Sequence, residues 1–324
     1  MISTRRTFLR HLAVSNLALV AAGAAGFAPS RVFAQQATVK VGALRTIPAI
    51  AQFMYERFAP TGMKIEVVPF ASPAECKNAV VGRSIDFAGF GVAAAISGAA
   101  AGEPLTVIGG LCDGGMAVVA KKDLPIAKLT DLKGRKVAIW PGSTQEIFIM
   151  ERLRAEGLSK TDITPVRIFF SEMHAALANG DVDAYVGAEP APGISVSSGI
   201  GKIIEYPYST PMGSLNVILA THPALIKEKT DLVRAMLDVH RQASEFCMKN
   251  REETIVAAVK LFGMKREAVE ISLPNIELNW QLSPELIRRA SIYAKHMLDM
   301  QQIRAIPDFA TLMDPSFSNA LAKV

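Results

Sequence analysis

The sequence reads as an α/β protein built from two similar halves, and three observations carry that reading. Short β-rich or apolar runs alternate with helical patterns from Thr38 to Val186, the arrangement of strands layered with helices. The order strand, helix, strand, helix, strand runs once before residue 120 and begins again near Leu129. A local echo accompanies it: Ala79–Asp86 and Ala176–Asp183 both run from a helix end through glycine into an apolar–Asp pair, with the glycine offset by one.

In chain order, the first 34 residues are an address rather than fold. Arg5-Arg6 before Phe8-Leu9, the uncharged run Leu12–Pro29 and the small residues of Val32-Phe33-Ala34 match a secretory signal of twin-arginine form, with cleavage expected after Ala34. The run is short and small-residue-rich for a bilayer span. Four of the 35 Lys+Arg (Arg5, Arg6, Arg10, Arg31) lie in this leader and none of the 30 Asp+Glu does, so the mature chain carries 31 basic against 30 acidic residues. A near-neutral balance gives no electrostatic footprint for nucleic acid. Beyond Ala34 no apolar run is long enough to span a bilayer. Cys76, Cys112 and Cys247 are widely spaced, match no metal pattern, and read as small buried hydrophobes.

Thr38–Gly42 is the first expected strand, Ala49–Phe58 a helix and Lys64–Pro69 a second strand. Ser72-Pro73-Ala74-Glu75 has capping-box spacing with proline at the first helical position. Strands follow at Ile85–Ala88, Leu105–Leu111 and Met116–Ala120, with an Ala-rich helix to Ala101 after the first of them. The second half opens on Lys136-Val-Ala-Ile-Trp-Pro-Gly-Ser-Thr-Gln145: a strand to Trp140, a stop at Pro141-Gly142, and a helix capped by Ser143 or Thr144 that runs to Glu156. Strands at Pro165–Phe169 and Val182–Val186 flank a helix over Glu172–Ala178. Leu215–Ala220 reads as a returning strand. Helical periodicity then dominates over Asp231–Lys249, Glu252–Phe262 and Pro284–Met300, with a loop and one short helix beyond Ile303. The expected organisation is a first lobe over 35–120, a second over 121–219, and a return over 220–324 that braces the first lobe. Crossings near Val119–Lys121 and Leu219–Thr221 would serve as hinges.

No catalytic set assembles. His174, His222, His240 and His296 have no metal-ligand spacing and read as structural or surface residues. A nucleophile elbow, a phosphate-binding Gly-Lys-Ser/Thr loop and a dinucleotide fingerprint are all missing from the sequence. Polar and glycine-rich residues instead collect at the carboxyl ends of expected strands: Arg45-Thr46, Ala71-Ser72, Gly89-Phe90-Gly91, Asp113-Gly114, Pro141-Gly142-Ser143-Thr144 and Glu189-Pro190. Open α/β sheets bind ligands at that edge. Arg45, Thr46, Ser72, Phe90, Gly91, Asp113, Gly142, Ser143, Thr144 and Glu189 are therefore the candidate ligand-binding residues. Each has a plainer reading, Arg45 as a surface charge, Phe90 as a core aromatic and Glu189 as a hinge or capping acid. Free N–H groups at the Gly142–Thr144 turn, with a helix dipole behind them, suit an anion or another acceptor.

On Leu129–Ala138 with Pro141–Thr144, on Met173–Asp183 with Tyr185, Glu189 and Pro190, and on Asp231–Ala235 with Asn250, the chain resembles the periplasmic substrate-binding proteins of ABC importers. The group is the one that includes nitrate, sulfonate and taurine receptors and thiamine-precursor-binding proteins. The resemblance spans almost the whole mature chain. It implies a two-lobed type II periplasmic-binding-protein fold with a ligand cleft between the lobes that closes on its ligand. It implies no cofactor or metal, a monomer in the periplasm that does not span the membrane after cleavage, and a membrane permease with a cytoplasmic ATPase as partner. Arg45 and the helix start at Ser143 would donate to a sulfonate, while Asp113 and Glu189, if in the cleft, call for a ligand that also carries an amine. Gly187-Ala188 stands where members of the group often carry tryptophan, which enlarges the expected pocket. The other readings are a binding protein for a thiamine-pyrimidine precursor or an aromatic acid, an enzyme of the thiamine-pyrimidine-synthase type, and a receptor that serves a sensor kinase.

Overall fold

Two mixed sheets, each built around three parallel strands, form the frame of the protein. The computed structural model describes residues 38–323; the leader expected over 1–34 lies outside them. The first half runs β1 (Thr38–Leu44), a 3₁₀ helix (Ile47–Phe58), β2 (Lys64–Phe70), α1 (Pro73–Val81), β3 (Phe87–Gly91), α2 (Val92–Ala100), β4 (Thr106–Gly114) and β5 (Met116–Lys121). The second runs β6 (Lys136–Ile139), α3 (Thr144–Ala155), β7 (Thr164–Arg167), α4 (Met173–Asn179), β8 (Ala184–Ala188), α5 (Ala191–Ser197), β9 (Gly201–Glu205) and β10 (Leu215–Thr221). Helices α6 (Pro223–Glu228), α7 (Thr230–Lys249), α8 (Arg251–Phe262) and α9 (Arg266–Ser272), strand β11 (Ile276–Leu278) and helix α10 (Pro284–Asp299) follow, with short helices at Phe309–Leu312 and Ser316–Leu321.

Local chemistry explains most of these boundaries. Ser72 Oγ accepts the Glu75 N–H at 3.3 Å, and Pro73 opens α1 with the fixed φ that a first helical turn requires. Helix α4 ends where Gly180 takes φ 82°, the left-handed conformation that closes a helix without a Cβ penalty.

The first sheet has the order β11-β4-β10-β3-β1-β2 and the second β7-β6-β8-β5-β9. In each, the strand that opens the half lies between its next two, and both pairings are parallel: β1 with β2 and β3, β6 with β7 and β8. In each, the third parallel strand then takes an antiparallel neighbour from elsewhere, β10 beside β3 and β5 beside β8.

The sequence echo has an atomic basis. Asp86 accepts the Lys40 N–H on its carboxylate at 2.8 Å and returns its own N–H to the Lys40 carbonyl at 2.9 Å. Asp183 does the same with Lys136, at 2.9 Å for both bonds. Thr221 Oγ1, at the end of β10, donates to the Asp86 carbonyl at 2.7 Å, and the Lys121 N–H, at the end of β5, donates to the Asp183 carbonyl at 2.9 Å. The apolar–Asp pair thus pins the third strand of each half to its first strand.

Strand pairing also locates the crossings. Because β5 pairs in the second sheet and β10 in the first, the chain changes sheet at Gly114-Gly115 and again between Glu205 and Leu215. Both points precede the expected hinges near 119–121 and 219–221, which lie inside strands. Gly114 and Gly115 both have positive φ, 72° and 74°, which lets the chain turn between two sheets without an intervening loop.

The C-terminal helices pack back on the first sheet. Helix α7 lies against the 3₁₀ helix and β4, and α10 against α2. His240 of α7 is fully buried there, with Nε2 donating to the Gly110 carbonyl at 2.8 Å and Nδ1 accepting from the Tyr55 hydroxyl at 2.9 Å, a tautomer assigned from these partners. Ile147 and Phe148 of α3 are buried in the same apolar cluster as residues of α2, β3, β10 and α10. The two sheets therefore share a core on that side.

Candidate functional site

The carboxyl edges of the two sheets face each other, and two contacts join them. At one, the Ile47 N–H, just past β1, donates to the Glu189 carbonyl, just past β8, at 2.9 Å. At the other, Gly91 at the end of β3 abuts Thr144 at the start of α3 so closely that a Cβ on Gly91 would collide with Thr144 Oγ1. Gly91 has φ −61°, so a side chain is excluded here by the neighbour and not by the backbone. The Thr144 hydroxyl lies 3.4 Å from the Asn216 carbonyl of β10. The first-half ends of β1 and β3 thus meet the second-half ends of β8 and β6.

Beside these contacts lies a cavity of about 290 Å³ lined by Leu44, Arg45, Thr46, Pro69, Phe70 and Ala71 from the first half and by Phe170 and Ser171 from the second. Arg45 is exposed and, among the described residues, makes no hydrogen bond or ion pair. Thr46 is buried and starts the 3₁₀ helix without spending its hydroxyl on the cap. The cavity therefore offers one unmatched cation, hydroxyls at Thr46 and Ser171, and apolar walls. No acidic residue lines it.

The expected site residues divide. Arg45 and Thr46 line the cavity. Ser72 follows Ala71 of the lining, but its Oγ caps α1. Gly91 and Thr144 form the contact between the sheets. Phe90 is fully buried in the core of the first sheet, the plainer of its two readings.

Gly142 and Ser143 form a self-contained cap at the start of α3. Ser143 Oγ accepts the Glu146 N–H at 3.2 Å and donates to the Trp140 carbonyl at 2.6 Å. The Gly142 N–H donates to Glu146 Oε2 at 2.8 Å. Glu146 is only 4% exposed and also accepts from Lys160 at 3.2 Å and Gln302 at 3.1 Å. The anion at this helix start is the protein's own carboxylate, which accepts the N–H of the residue just before the cap.

Neither expected acid lines the Arg45 cavity. Asp113 pairs with Arg289 at 3.3 Å in a separate recess of about 180 Å³ that also holds Glu277 and Asn279. Burial pushes its carboxyl above the usual range, and Arg289 partly offsets that. Glu189 is fully buried and accepts from Ser272 at 2.7 Å, the Gly193 N–H at 3.0 Å and Asn275 at 3.2 Å. Burial raises its pKa and these three bonds pull it back. With its carbonyl on Ile47 and its N–H on Gly115 O at 2.9 Å, Glu189 ties the two sheets to the C-terminal helices.

Sequence reasoning missed Phe70 and Phe170. Phe70 ends β2 and Phe170 lies just beyond β7, on the edge that the other candidates already marked, and that position was the available signal. The larger groove between α3 and α10, about 790 Å³, is a weaker candidate. Most of its charges are matched within the protein, Glu151 with Arg154 at 2.6 Å and His296 at 3.1 Å, and Glu146 with Lys160.

The histidines are occupied. His174 Nδ1 lies 3.0 Å from Ser195 Oγ, which also bonds the Tyr185 hydroxyl at 2.8 Å, but Ser195 and Tyr185 are fully buried where no substrate reaches. His222 Nδ1 accepts the Ala224 N–H at 3.0 Å as the cap of α6. Among the described residues no group of three or more His, Cys, Asp or Glu could hold a metal ion, and no helix is long and apolar enough to cross a membrane.

A protein-family comparison matches residues 57–254 to the NMT1/THI5-like family. The chain belongs to that family, with the two-sheet fold of periplasmic binding proteins. It is 26% identical over 226 residues, 69% of this chain and 70% of the relative, to a putative aliphatic sulfonates-binding protein of Escherichia coli (strain K12). It is 24% identical over 230 residues, with the same shares, to a putative thiamine biosynthesis protein of Haemophilus influenzae. Among solved structures it resembles the alkanesulfonate-binding protein of Xanthomonas axonopodis pv. citri bound to MOPS, with a TM-score of 0.77 and 21% identity over 87% of this chain and 99% of that one.

Proposed function

We propose that the chain is the extracytoplasmic solute-binding component of an ABC importer and captures a small organic anion between two lobes. One lobe is built on β5–β9 and the other on the remaining strands. The crossings at Gly114-Gly115 and between Glu205 and Leu215 serve as hinges. The observation that carries this reading is the unmatched Arg45 in a cavity on the facing carboxyl edges of the sheets. Closure lets a ligand touch residues of both lobes at once, so the closed state is the one the ligand stabilises.

The names of the relatives favour a sulfonate, the leader motif favours export by the twin-arginine route, and the likeness to importer receptors favours residence in the periplasm as a monomer and delivery to a permease with a cytoplasmic ATPase. Activity as an enzyme gains no support from the buried His174–Ser195–Tyr185 network. The relative described as a thiamine biosynthesis protein keeps a pyrimidine precursor as the second reading.

A thermal-denaturation screen of residues 35–324 tests this. The midpoint is expected to rise with concentration for organic anions, because ligand that binds only the folded form adds RT ln(1 + [L]/Kd) to stability. The anion should be recovered unchanged. Consumption of the ligand, or a response to the pyrimidine alone, would contradict the reading.

A further inference from the structure

We infer that the cleft selects aromatic monoanions that carry no ammonium group, an inference that rests on the solute-binding reading above. Its first ground is charge. Arg45 is the one ionised side chain among the lining residues, and among the described residues it has no partner. An anionic head placed there gains a charge-assisted hydrogen bond that Arg45 otherwise makes only to water. A zwitterion such as taurine would bring an ammonium group into a space with no carboxylate. Asp113 lies in the separate recess, where its Oδ2 pairs with Arg289, and Glu189 is held by Ser272, Asn275 and Gly193. A desolvated cation without a partner costs affinity, so the cavity rejects the amine rather than merely ignoring it.

The second ground is the shape and character of the walls. Phe70 from the first half and Phe170 from the second line the same cavity, with Leu44 and Pro69 beside them. Phe70 is half-buried and Phe170 is 8% exposed, so both rings are held by packing. At ~30 Å³ per water the 290 Å³ would hold about ten waters, which is about the number of non-hydrogen atoms in benzenesulfonate. An aromatic body meets ring faces and edges from both halves, and such contacts contribute beyond area burial. Nitrate has no body to displace water from these walls. The class is thus an arylsulfonate or arylcarboxylate, and the two heads are separated by experiment.

Calorimetric titration of residues 35–324 with benzenesulfonate, benzoate, methanesulfonate, taurine and nitrate tests the inference. Benzenesulfonate or benzoate should bind about tenfold or more tightly than methanesulfonate, with taurine weaker still. Phe170→Leu, which keeps an apolar side chain but removes the ring, should lower aryl affinity several-fold and leave methanesulfonate nearly unchanged; Phe70→Leu serves if Phe170→Leu lowers the melting midpoint. Equal affinity for methanesulfonate and benzenesulfonate, or tighter binding of taurine or nitrate, would overturn the selectivity and leave the solute-binding reading standing. Binding of none of the five would overturn the selectivity and remove the anion cleft with it.

Discussion

Arg45→Ala should lower the affinity for any anion the cleft accepts by about 30-fold and leave the melting midpoint almost unchanged. A hydrogen bond to a charged partner contributes about 2 kcal/mol, which corresponds to that ratio. The side chain is exposed and bonds to nothing else among the described residues, so its removal leaves no orphaned group in the free protein. Arg45→Lys keeps the charge and loses the planar fork, and should fall between the two. Calorimetry with benzenesulfonate measures the affinity and differential scanning calorimetry the midpoint. Unchanged affinity in Arg45→Ala would move the anion site elsewhere on the facing edges.

Acidification should destabilise the protein well before its carboxylates titrate. Burial lowers the pKa of His240 from 6.5 to about 4, with hydrogen bonds to the backbone of Gly110 and Asn279 opposing the shift. Above pH 6.5 the imidazole is neutral in both states and its contribution is fully present. Below that the unfolded chain takes up a proton that the native state refuses, so stability falls by about 1.4 kcal/mol per pH unit until the native state also protonates near pH 4. Between pH 7 and pH 5 this amounts to about 2 kcal/mol. Glu189 works in the opposite sense, since its raised pKa makes the native state bind a proton more readily. Comparing wild type with His240→Gln by urea unfolding at both pH values cancels that term. The variant should be less stable at pH 7 but should lose about 2 kcal/mol less on acidification. Equal losses in both proteins would mean that His240 is not the group that titrates.

Much of the fold was legible because its repeat is written in local chemistry. Asp86 and Asp183 sit at matching places, and the backbone bonds they make to Lys40 and Lys136 are the same in both halves. The sheet to which a strand belongs is a tertiary fact, and β5 and β10 look alike on the page. For that reason the crossings were expected several residues too late. Strand β11 spans only Ile276–Leu278 and offers no alternation to read. In the candidate site, Arg45 and Thr46 were legible from their position after β1. The fates of Asp113 and Glu189 were not, because Arg289, Ser272 and Asn275 lie more than 80 residues further along the chain. Those partners give both acids internal contacts, and the proposed ligand therefore needs no amine. The Ser143 turn shows the same effect at short range: Glu146, three residues on, takes the place an external anion would fill.

On the solute-binding reading, the two sheets belong to lobes that close on an anion. The most direct measurement is the distance between spin labels at Ala74→Cys on α1 and Ala175→Cys on α4, both exposed positions on opposite halves. Native Cys76, Cys112 and Cys247 are buried and should escape labelling. Without ligand the distribution should be long and broad; saturating benzenesulfonate should draw it to one shorter distance, and Arg45→Ala should require far more ligand to do so. A distribution that stays the same while calorimetry records binding would contradict the account.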